Sequence, residues 1–495
     1  MSSLEERVRD KSLLEKIIDP LEAVDKIIPR KGSIAFSGMS NTGYSKVIVE
    51  AMKKHVLETG EEYSLTVYSA GTAGIDHEEA LSIIGVKRRY PFGASSKTTR
   101  MLVNKRRYQV SDMWLYKYNM WLYQGVFDRI NGKIDVAVIE ATGITEDGII
   151  PSMSLDAAPA MVKAAKKVIV ELSLVKPILY GLHDITGPND AWRIKGVLDR
   201  VGSPIIRIPR SKIAAIVVSS RDDQRGHYTG GSIIDEKVAE NIARFLDEEA
   251  ESDPNLRRDN ITLQPGAGPI ASILSSKIVE TRLRVGIWGE VASLRWVDAL
   301  GDSVDGISAS VLYTLPGDER LKEEFYGSYE EYRDSVVLRP QYISNNPQIL
   351  TRYTHITVQQ AIEVDVYGNA NISHIGSSLY GGVGGSGDHA KNSYITILAL
   401  PSRTSSGIPR IVPYTFHTDL AEHDVDVIVT EQGWADLRGL SPLERAKRII
   451  EKCAHPSYKD DLLEYHDTLT SMRGHQPINL EEILKFMEKH GINLS

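Results

Sequence analysis

Short runs of β-branched and apolar residues alternate with amphipathic helical stretches along most of this chain, and this rhythm restricts the fold more than any other feature. Ser33-Ile-Ala-Phe36 leads into Gly38-Met-Ser-Asn-Thr-Gly43, and a helical pattern follows from about Ser45 to Leu57. Leu65-Thr-Val-Tyr68 leads into Ala70-Gly-Thr-Ala-Gly74, and Ile134-Asp-Val-Ala-Val-Ile139 into Glu140-Ala-Thr-Gly143. Lys167-Val-Ile-Val170 and Lys212-Ile-Ala-Ala-Ile-Val-Val218 read as further strands. Strands that are apolar throughout are buried on both faces. Separated by helices, they predict an α/β fold with a parallel sheet covered on each side. The glycine turns at the strand ends fall where such sheets hold ligands.

Near Leu246-Asp-Glu-Glu-Ala-Glu-Ser-Asp-Pro254 the composition turns acidic and ends in proline, which reads as a linker or boundary. The expected organisation is one α/β domain over 1–230, a linker over 231–260 and a second α/β domain over 261–495. In the second half, Val425-Asp-Val-Ile-Val429 runs into Thr430-Glu431-Gln-Gly433, similar to Asp135–Gly143. The likeness suggests two related halves.

The 495 residues suffice for two or three full-sized cores. A net charge of −8, with no basic run longer than Lys-Arg-Arg, argues against a nucleic-acid partner. The single Cys453 leaves no internal disulfide framework and fits a reducing compartment, and its helical surroundings predict a packed side chain. The first residues alternate charges without an apolar segment, and no apolar run approaches the ~18 residues of a membrane span. The expectation is a cytoplasmic protein without a membrane partner.

Glu290 stands out within Val285-Gly-Ile-Trp-Gly-Glu290-Val, an apolar run that reads as a buried strand ending in a carboxylate. Such a charge is costly unless it is hydrogen-bonded or used. Glycine-rich stretches precede and follow it in the chain, Gln264-Pro-Gly-Ala-Gly268 and Gly381-Gly-Val-Gly-Gly-Ser-Gly387-Asp388. A carboxylate between glycine loops suggests covalent acyl chemistry. Gly382-Val-Gly384-Gly-Ser-Gly387 matches the dinucleotide fingerprint in letters only. No Asp or Glu lies between His389 and Thr418 to hold a ribose, and Ser393–Leu400 reads as a strand where the fingerprint needs a helix. So many glycines instead let backbone N–H groups converge on one ligand atom. His417-x-Asp419-x-x-Glu422-His423-Asp424 has metal-ligand residue types but reads better as a hydrogen-bonded loop. No metal is expected. Neither a G-x-S-x-G elbow nor a phosphate-binding P-loop is present.

Several segments together resemble the acetyl-CoA hydrolase/transferase family, which includes the succinyl-CoA:acetate CoA-transferases. They include Ser37-Gly-Met-Ser-Asn-Thr-Gly43, Ile144-Thr-Glu-Asp-Gly-Ile-Ile-Pro151, Gly181-Leu-His-Asp184 and Arg339-Pro-Gln-Tyr-Ile-Ser-Asn-Asn-Pro347. Glu363-Val-Asp-Val-Tyr-Gly-Asn369, Gly384-Gly-Ser-Gly-Asp388, Glu422-His-Asp-Val-Asp426 and Thr430-Glu-Gln-Gly-Trp-Ala-Asp-Leu-Arg-Gly439 continue the match in order. The resemblance implies two open, mostly parallel-sheet domains of the CoA-transferase type with the active site between them, and a homodimer. It implies Glu290 as nucleophile, Ala267 and Gly384 as oxyanion-hole amides, and Asn345 and Glu431 as further catalytic residues. Gly266, Gly268, Asn345, Gly384, Gly385 and Thr72 would line the CoA and acyl site. Coenzyme A is then a substrate exchanged with a small carboxylate, and no permanently bound cofactor is expected. The residues depart from the family's usual pattern at Trp288-Gly289, at Asp112-Met-Trp-Leu-Tyr116 and at His389.

Overall fold

The computed structural model describes residues 3–93, 96–224, 231–257 and 261–493. A first sheet is built from β1 (Lys31–Phe36), β2 (Ser64–Ser69), β3 (Val86–Tyr90), β4 (Gln109–Val110), β5 (Ile134–Ile144), β6 (Gly148–Pro151), β7 (Ala165–Ser173), β8 (Ile206–Arg207) and β9 (Ile213–Ser219). The second half begins with β10 (Ile261–Gln264), β11 (Val285–Ser293), β12 (Val304–Tyr313), β13 (Val336–Leu338) and β14 (Thr354–Gln360). Short accessory strands follow: β15 (Glu363–Asp365), β16 (Ala370–Asn371), β17 (His374–Ile375) and β18 (Ser378–Leu379). The chain then forms β19 (Ile395–Ala399), β20 (Ile411–Val412), β21 (Val427–Thr430) and β22 (Gly433–Asp436).

The two sheets share one topology. The parallel core of the first runs β4-β3-β2-β1-β5-β7-β9, and that of the second runs β13-β12-β11-β10-β14-β19-β21. Each sheet starts at an inner strand, builds outward one way, then returns to build the other way. The reversal leaves a crevice beyond the C-terminal strand ends, the usual ligand position in such sheets. In this order β21 corresponds to β9, not to β5. The likeness of 135–143 to 425–433 therefore does not mark equivalent strands. Buried parallel strands simply share an apolar composition.

The stretch expected to be a linker over 231–260 holds a long helix, Ile233–Ser252. Ser232 and Asp235 form its capping box. Val238, Ala239, Ile242, Phe245, Leu246 and Ala250 form its buried face. Asn241 Nδ2 donates to the Thr430 carbonyl at 2.9 Å, tying the helix to the second sheet. The acids that suggested a linker are mostly its solvent-facing side.

The halves meet through backbone and buried charge. Leu155 N donates to Ser310 O at 2.9 Å and Leu312 N to Met153 O at 3.0 Å. Arg339 is fully buried and bonds Asp184 across the seam, while its Nε donates to Ser308 Oγ at 2.7 Å. One apolar core holds residues of both sheets, including Ala35, Ile139 and Val170 with Leu263, Ile287 and Ile356. In the helix Leu115–Tyr123, Leu115, Tyr118 and Leu122 are buried in that core. Cys453 is buried, with Sγ 3.4 Å from the Ile428 carbonyl, and burial pushes its thiol up to about 12. Among the described residues, no helix is long and apolar enough to cross a membrane.

Candidate active site

β11 is buried at all nine positions and extends to Ser293, three residues beyond the expected end at Glu290. Its neighbour β10 is shorter. The two pair only at Thr262↔Gly286 and Leu263↔Ile287, after which the chain leaves β10 through Gln264-Pro-Gly266-Ala267-Gly268. Glu290 therefore lies past the end of its neighbour, above that glycine turn. A Cβ on Gly266, whose φ is +77°, would sit 2.6 Å from the Val358 carbonyl, so the turn needs glycine there.

A cleft of ≈ 280 Å³ opens at this point. The second half lines it with Gln264, Gly266, Ala267, Glu290, Val291, Gln359, Gln360 and the loop Gly382–Ser386. The first half closes it with the turns after its equivalent strands: Met39 and Ser40 after β1, Gly71 and Thr72 after β2, and Pro91 and Phe92 after β3. The shared topology thus brings the C-terminal ends of corresponding strands face to face. Thr72, Gly266, Ala267, Gly384 and Gly385 all line the same cleft as Glu290.

Asn345 follows the short helix Gln341–Ser344. Ser344 Oγ donates to its Oδ1 at 2.7 Å, which turns the amide –NH2 toward the carboxylates. Nδ2 donates to Glu290 Oε2 at 2.6 Å and to Asp388 Oδ2 at 3.1 Å. Trp288, two residues before Glu290, donates from Nε1 to the Ser344 carbonyl at 2.8 Å and so anchors this turn. Glu290 is only 5% exposed, and burial pushes its carboxyl up to about 8. The Asn345 hydrogen bond opposes the shift, and the nearby Asp388 charge adds to it. Burial likewise raises Asp388 to about 7 against hydrogen bonds from the Tyr116 backbone and from Asn345.

Other buried carboxylates have different company. In the first half Glu140 accepts from Lys46 Nζ at 2.6 Å and Lys176 Nζ at 2.5 Å, and Asp223 bridges the same two lysines at 2.7 Å each. Glu171 accepts from the backbone of Lys46 and Val47, capping the helix Val47–Thr59. Those acids are neutralised or act as caps, whereas the side-chain partner of Glu290 is a neutral amide. Asp156 and Asp365 are also buried with neutral partners, but they do not line the cleft; Glu290 does, and there a carboxylate without a countercharge can act as base or nucleophile.

Gly384 has φ +56°, and Gly385 packs directly against the carboxylate. Among the described residues the amides of Ala267 and Gly384 have no hydrogen-bond partner. Gly268 does not line the cleft; its N–H donates to Tyr313 Oη at 3.1 Å, and it caps the helix Pro269–Lys277. Glu431 lies elsewhere. It follows β21, four strands from β11, or about 19 Å at the usual strand spacing. Its carboxylate accepts from Ser402 N at 2.8 Å and from Ser402 Oγ. The His417 segment forms a hydrogen-bonded loop: Ser373 Oγ donates to Asp419 Oδ2 at 2.8 Å, and His417 Nε2 lies 3.0 Å from Asp419 Oδ1. His423 is exposed.

Residue-level reasoning missed Asp388, although it closes the quoted Gly384-Gly-Ser-Gly-Asp388 segment. It also missed Gln264 and Gln359, which form a buried amide cluster with Thr357, and half-buried Gln360, whose Nε2 donates to the Ala267 carbonyl. Gln264 Oε1 accepts from Thr357 Oγ1 at 2.6 Å and from Gln359 Nε2 at 2.9 Å. Their only local signal is polarity at the ends of otherwise apolar strands.

Residues 1–250 match the acetyl-CoA hydrolase/transferase N-terminal domain, and residues 322–466 match the C-terminal domain of that family. The succinyl-CoA:acetate CoA-transferase of Clostridium kluyveri is 36% identical over 501 residues, covering 98% of this chain and 91% of that protein. An acetyl-CoA hydrolase of Yarrowia lipolytica is 34% identical over 485 residues, covering 93% of this chain and 91% of its own length. RipA of Yersinia pestis shares the fold at a TM-score of 0.71 and 19% identity, covering 93% of this chain and 99% of that one. A 4-hydroxybutyrate CoA-transferase of Porphyromonas gingivalis does so at a TM-score of 0.61 and 18% identity, with 92% and 98% covered. Matched along nearly its whole length, the chain is an enzyme of the acetyl-CoA hydrolase/transferase family.

Proposed function

We propose that this enzyme exchanges coenzyme A between a short-chain acyl-CoA (acetyl-, propionyl- or succinyl-CoA) and a small carboxylate, with Glu290 as the nucleophile. The observation that carries the reading is the Glu290 carboxylate, buried beside a neutral amide in a cleft where, among the described residues, the Ala267 and Gly384 amides are among those without a hydrogen-bond partner. Glu290 attacks the thioester carbonyl, and collapse of the tetrahedral intermediate expels CoA thiolate and leaves an acyl-glutamyl anhydride. The thiolate attacks the glutamyl carbonyl of the anhydride, releasing the first carboxylate and leaving a glutamyl-CoA thioester. The acceptor carboxylate then runs the two steps in reverse. Each tetrahedral intermediate carries an oxyanion, and the amides of Ala267 and Gly384 supply its hydrogen bonds. One such donor is typically worth about 3 kcal/mol. Thr72 lines the acyl end of the cleft. Asn345 holds the carboxylate in line through the bond to Oε2.

The test is to incubate the enzyme with acyl-CoA, reduce with borohydride and locate the modification by mass spectrometry. Reduction of a thioester at Glu290 is the expected result, and an unmodified Glu290 in an active enzyme refutes the assignment. The hydrolase name of the Yarrowia lipolytica relative supports a second reading, with water as the final acceptor. Thiol release from acetyl-CoA in the absence of any carboxylate separates the two.

The pH dependence follows from the same geometry. Attack needs the ionised carboxylate, and burial sets the Glu290 proton loss at about 8. Asp388, which shares the Asn345 amide, adds a like charge that pushes the Glu290 carboxyl further up. kcat/KM, which reports the free enzyme, is expected to rise with pH and level off above about 8. Asp388→Asn removes the like charge and moves the midpoint lower. A flat profile between pH ~6 and ~9 would contradict this assignment.

A further inference from the structure

The glycine loop that supplies the Gly384 amide belongs to the second half, but the first half holds it in place. Asp112 is the centre of that contact. Its Oδ1 accepts from Phe92 N at 3.1 Å and Met113 N at 3.0 Å, both on its own half. Its Oδ2 accepts from Val383 N at 2.9 Å, a residue 271 positions away. The next residues extend the contact. Leu115 N donates to the Gly384 carbonyl at 3.1 Å, and Tyr116 N donates to Asp388 Oδ2 at 2.8 Å. Trp114 packs so closely on Gly387 that a Cβ there would lie 2.6 Å from the indole.

The bonds have a specific consequence for the oxyanion site. The amide on the N-terminal side of Gly384, that of Val383, is engaged by Asp112, and the Gly384 carbonyl is engaged by Leu115. Two anchors therefore fix the backbone on either side of the Gly384 N–H, which itself is left unpartnered. Gly384 has φ +56° and no side chain of its own, and its peptide plane has one local restraint, Ser386 N donating to the Val383 carbonyl at 3.3 Å; the outside anchors add to that bond. On the opposite face, Glu290 and Asn345 press against Gly385. The loop is thus clamped between the nucleophile and residues 112–116.

We propose that Asp112 is a positioning residue for the acyl-transfer reaction: by binding the Val383 amide across the seam, it aims the Gly384 N–H at the oxyanion. This inference rests on the reading of Gly384 as an oxyanion donor. It gives the first half, which does not carry the proposed nucleophile, a part in setting the geometry of the oxyanion site. Burial, opposed by its three backbone hydrogen bonds and aided by the Asp419 charge, raises the Asp112 carboxyl to about 6.

The test compares Asp112→Asn with the intact enzyme. The asparagine carbonyl oxygen still accepts from Phe92 and Met113, but its –NH2 meets the Val383 N–H and cannot accept from it. The single-turnover rate of glutamyl-CoA thioester formation at Glu290 is expected to fall about 10- to 100-fold, as for a small displacement of a catalytic group. Equilibrium binding of free CoA and the melting temperature are expected to stay near those of the intact enzyme. An unchanged single-turnover rate overturns the proposal. A loss of CoA binding that matches the loss of rate also overturns it, because that marks a binding or folding role. Should Asp112→Asn fail to fold, Asp112→Glu carries the same comparison, with the acceptor kept and displaced by one methylene. If the intact enzyme forms no thioester at Glu290, the underlying functional reading fails first, and that outcome is visible before any variant is made.

Discussion

Glu290→Gln is expected to abolish CoA exchange while leaving a folded protein. Gln is nearly isosteric, and its carbonyl oxygen can still accept from Asn345 Nδ2, so the cleft keeps its shape. What it lacks is the electron pair that attacks the thioester. Removing a covalent nucleophile in other enzymes costs on the order of 10⁴- to 10⁶-fold in kcat, and a loss on that scale is expected here, with no borohydride-reducible adduct. Stability provides an independent check. The folded-state value of about 8 lies above the ordinary 4.5. Glu290 therefore contributes stability below its unfolded value, which is lost as the pH rises through about 8, because burial penalises the anion. Gln cannot ionise, so the variant should melt higher than the intact enzyme at pH 8 and respond less to pH below that. An active Glu290→Gln enzyme removes the covalent mechanism. An inactive enzyme that melts lower at pH 8 indicates damage to the fold instead.

The parts of this molecule that were legible in the sequence are those set by local patterns. The runs around Ile134–Ile139 and Val285–Glu290 announce buried parallel strands because covering both faces leaves no room for alternation. Glu290 is conspicuous because a carboxylate in such a run carries a desolvation cost. The helix Ile233–Ser252 was hidden by its own amphipathicity. Its acids, dense from Asp247 to Glu251, look like a linker until the apolar positions at Val238, Ile242 and Phe245 are aligned on one face. What local patterns cannot carry is contact over distance. Asn345 reaches Glu290 across 55 positions and Asp112 reaches Val383 across 271. Chain neighbours orient these side chains, Ser344 bonding Asn345 and Met113 bonding Asp112, but no local pattern says which distant residue each one meets. The family-like segments made part of this visible, because several lie on the seam: Asp184 of one bonds Arg339 of another. The same resemblance also placed Glu431 in the site, whereas in the fold it is four strands away and bonded to Ser402. A motif marks a constraint without stating whether that constraint is chemical or architectural.

The two adjacent glycines of the loop should respond to alanine in opposite ways. At Gly385 the backbone is at φ −96°, ψ 10°, the bridge conformation that L-residues adopt at the third position of type I turns. A methyl group there would lie 1.9 Å from Glu290 Oε2 and 2.3 Å from Asn345 Nδ2. Both are the ends of side chains, so the protein can accommodate the methyl by swinging them aside, and the fold should survive. The reaction should not. Restoring ordinary contact requires the carboxylate to move by more than about 1 Å and breaks its bond to Asn345, and a displacement of that size typically costs at least about 100-fold. At Gly384 the situation reverses. The methyl would sit 3.8 Å from Glu290 Oε1, an ordinary contact, but φ is +56°. An alanine held there costs about 1–2 kcal/mol of backbone strain and leaves the nucleophile in place. Gly385→Ala is thus expected to keep a near-normal melting temperature with kcat reduced about 100-fold or more, whereas Gly384→Ala should lose stability and retain more activity. Parallel melting curves and steady-state rates decide it: equal activities in the two variants would mean that Glu290 reacts from a position other than the one packed against Gly385.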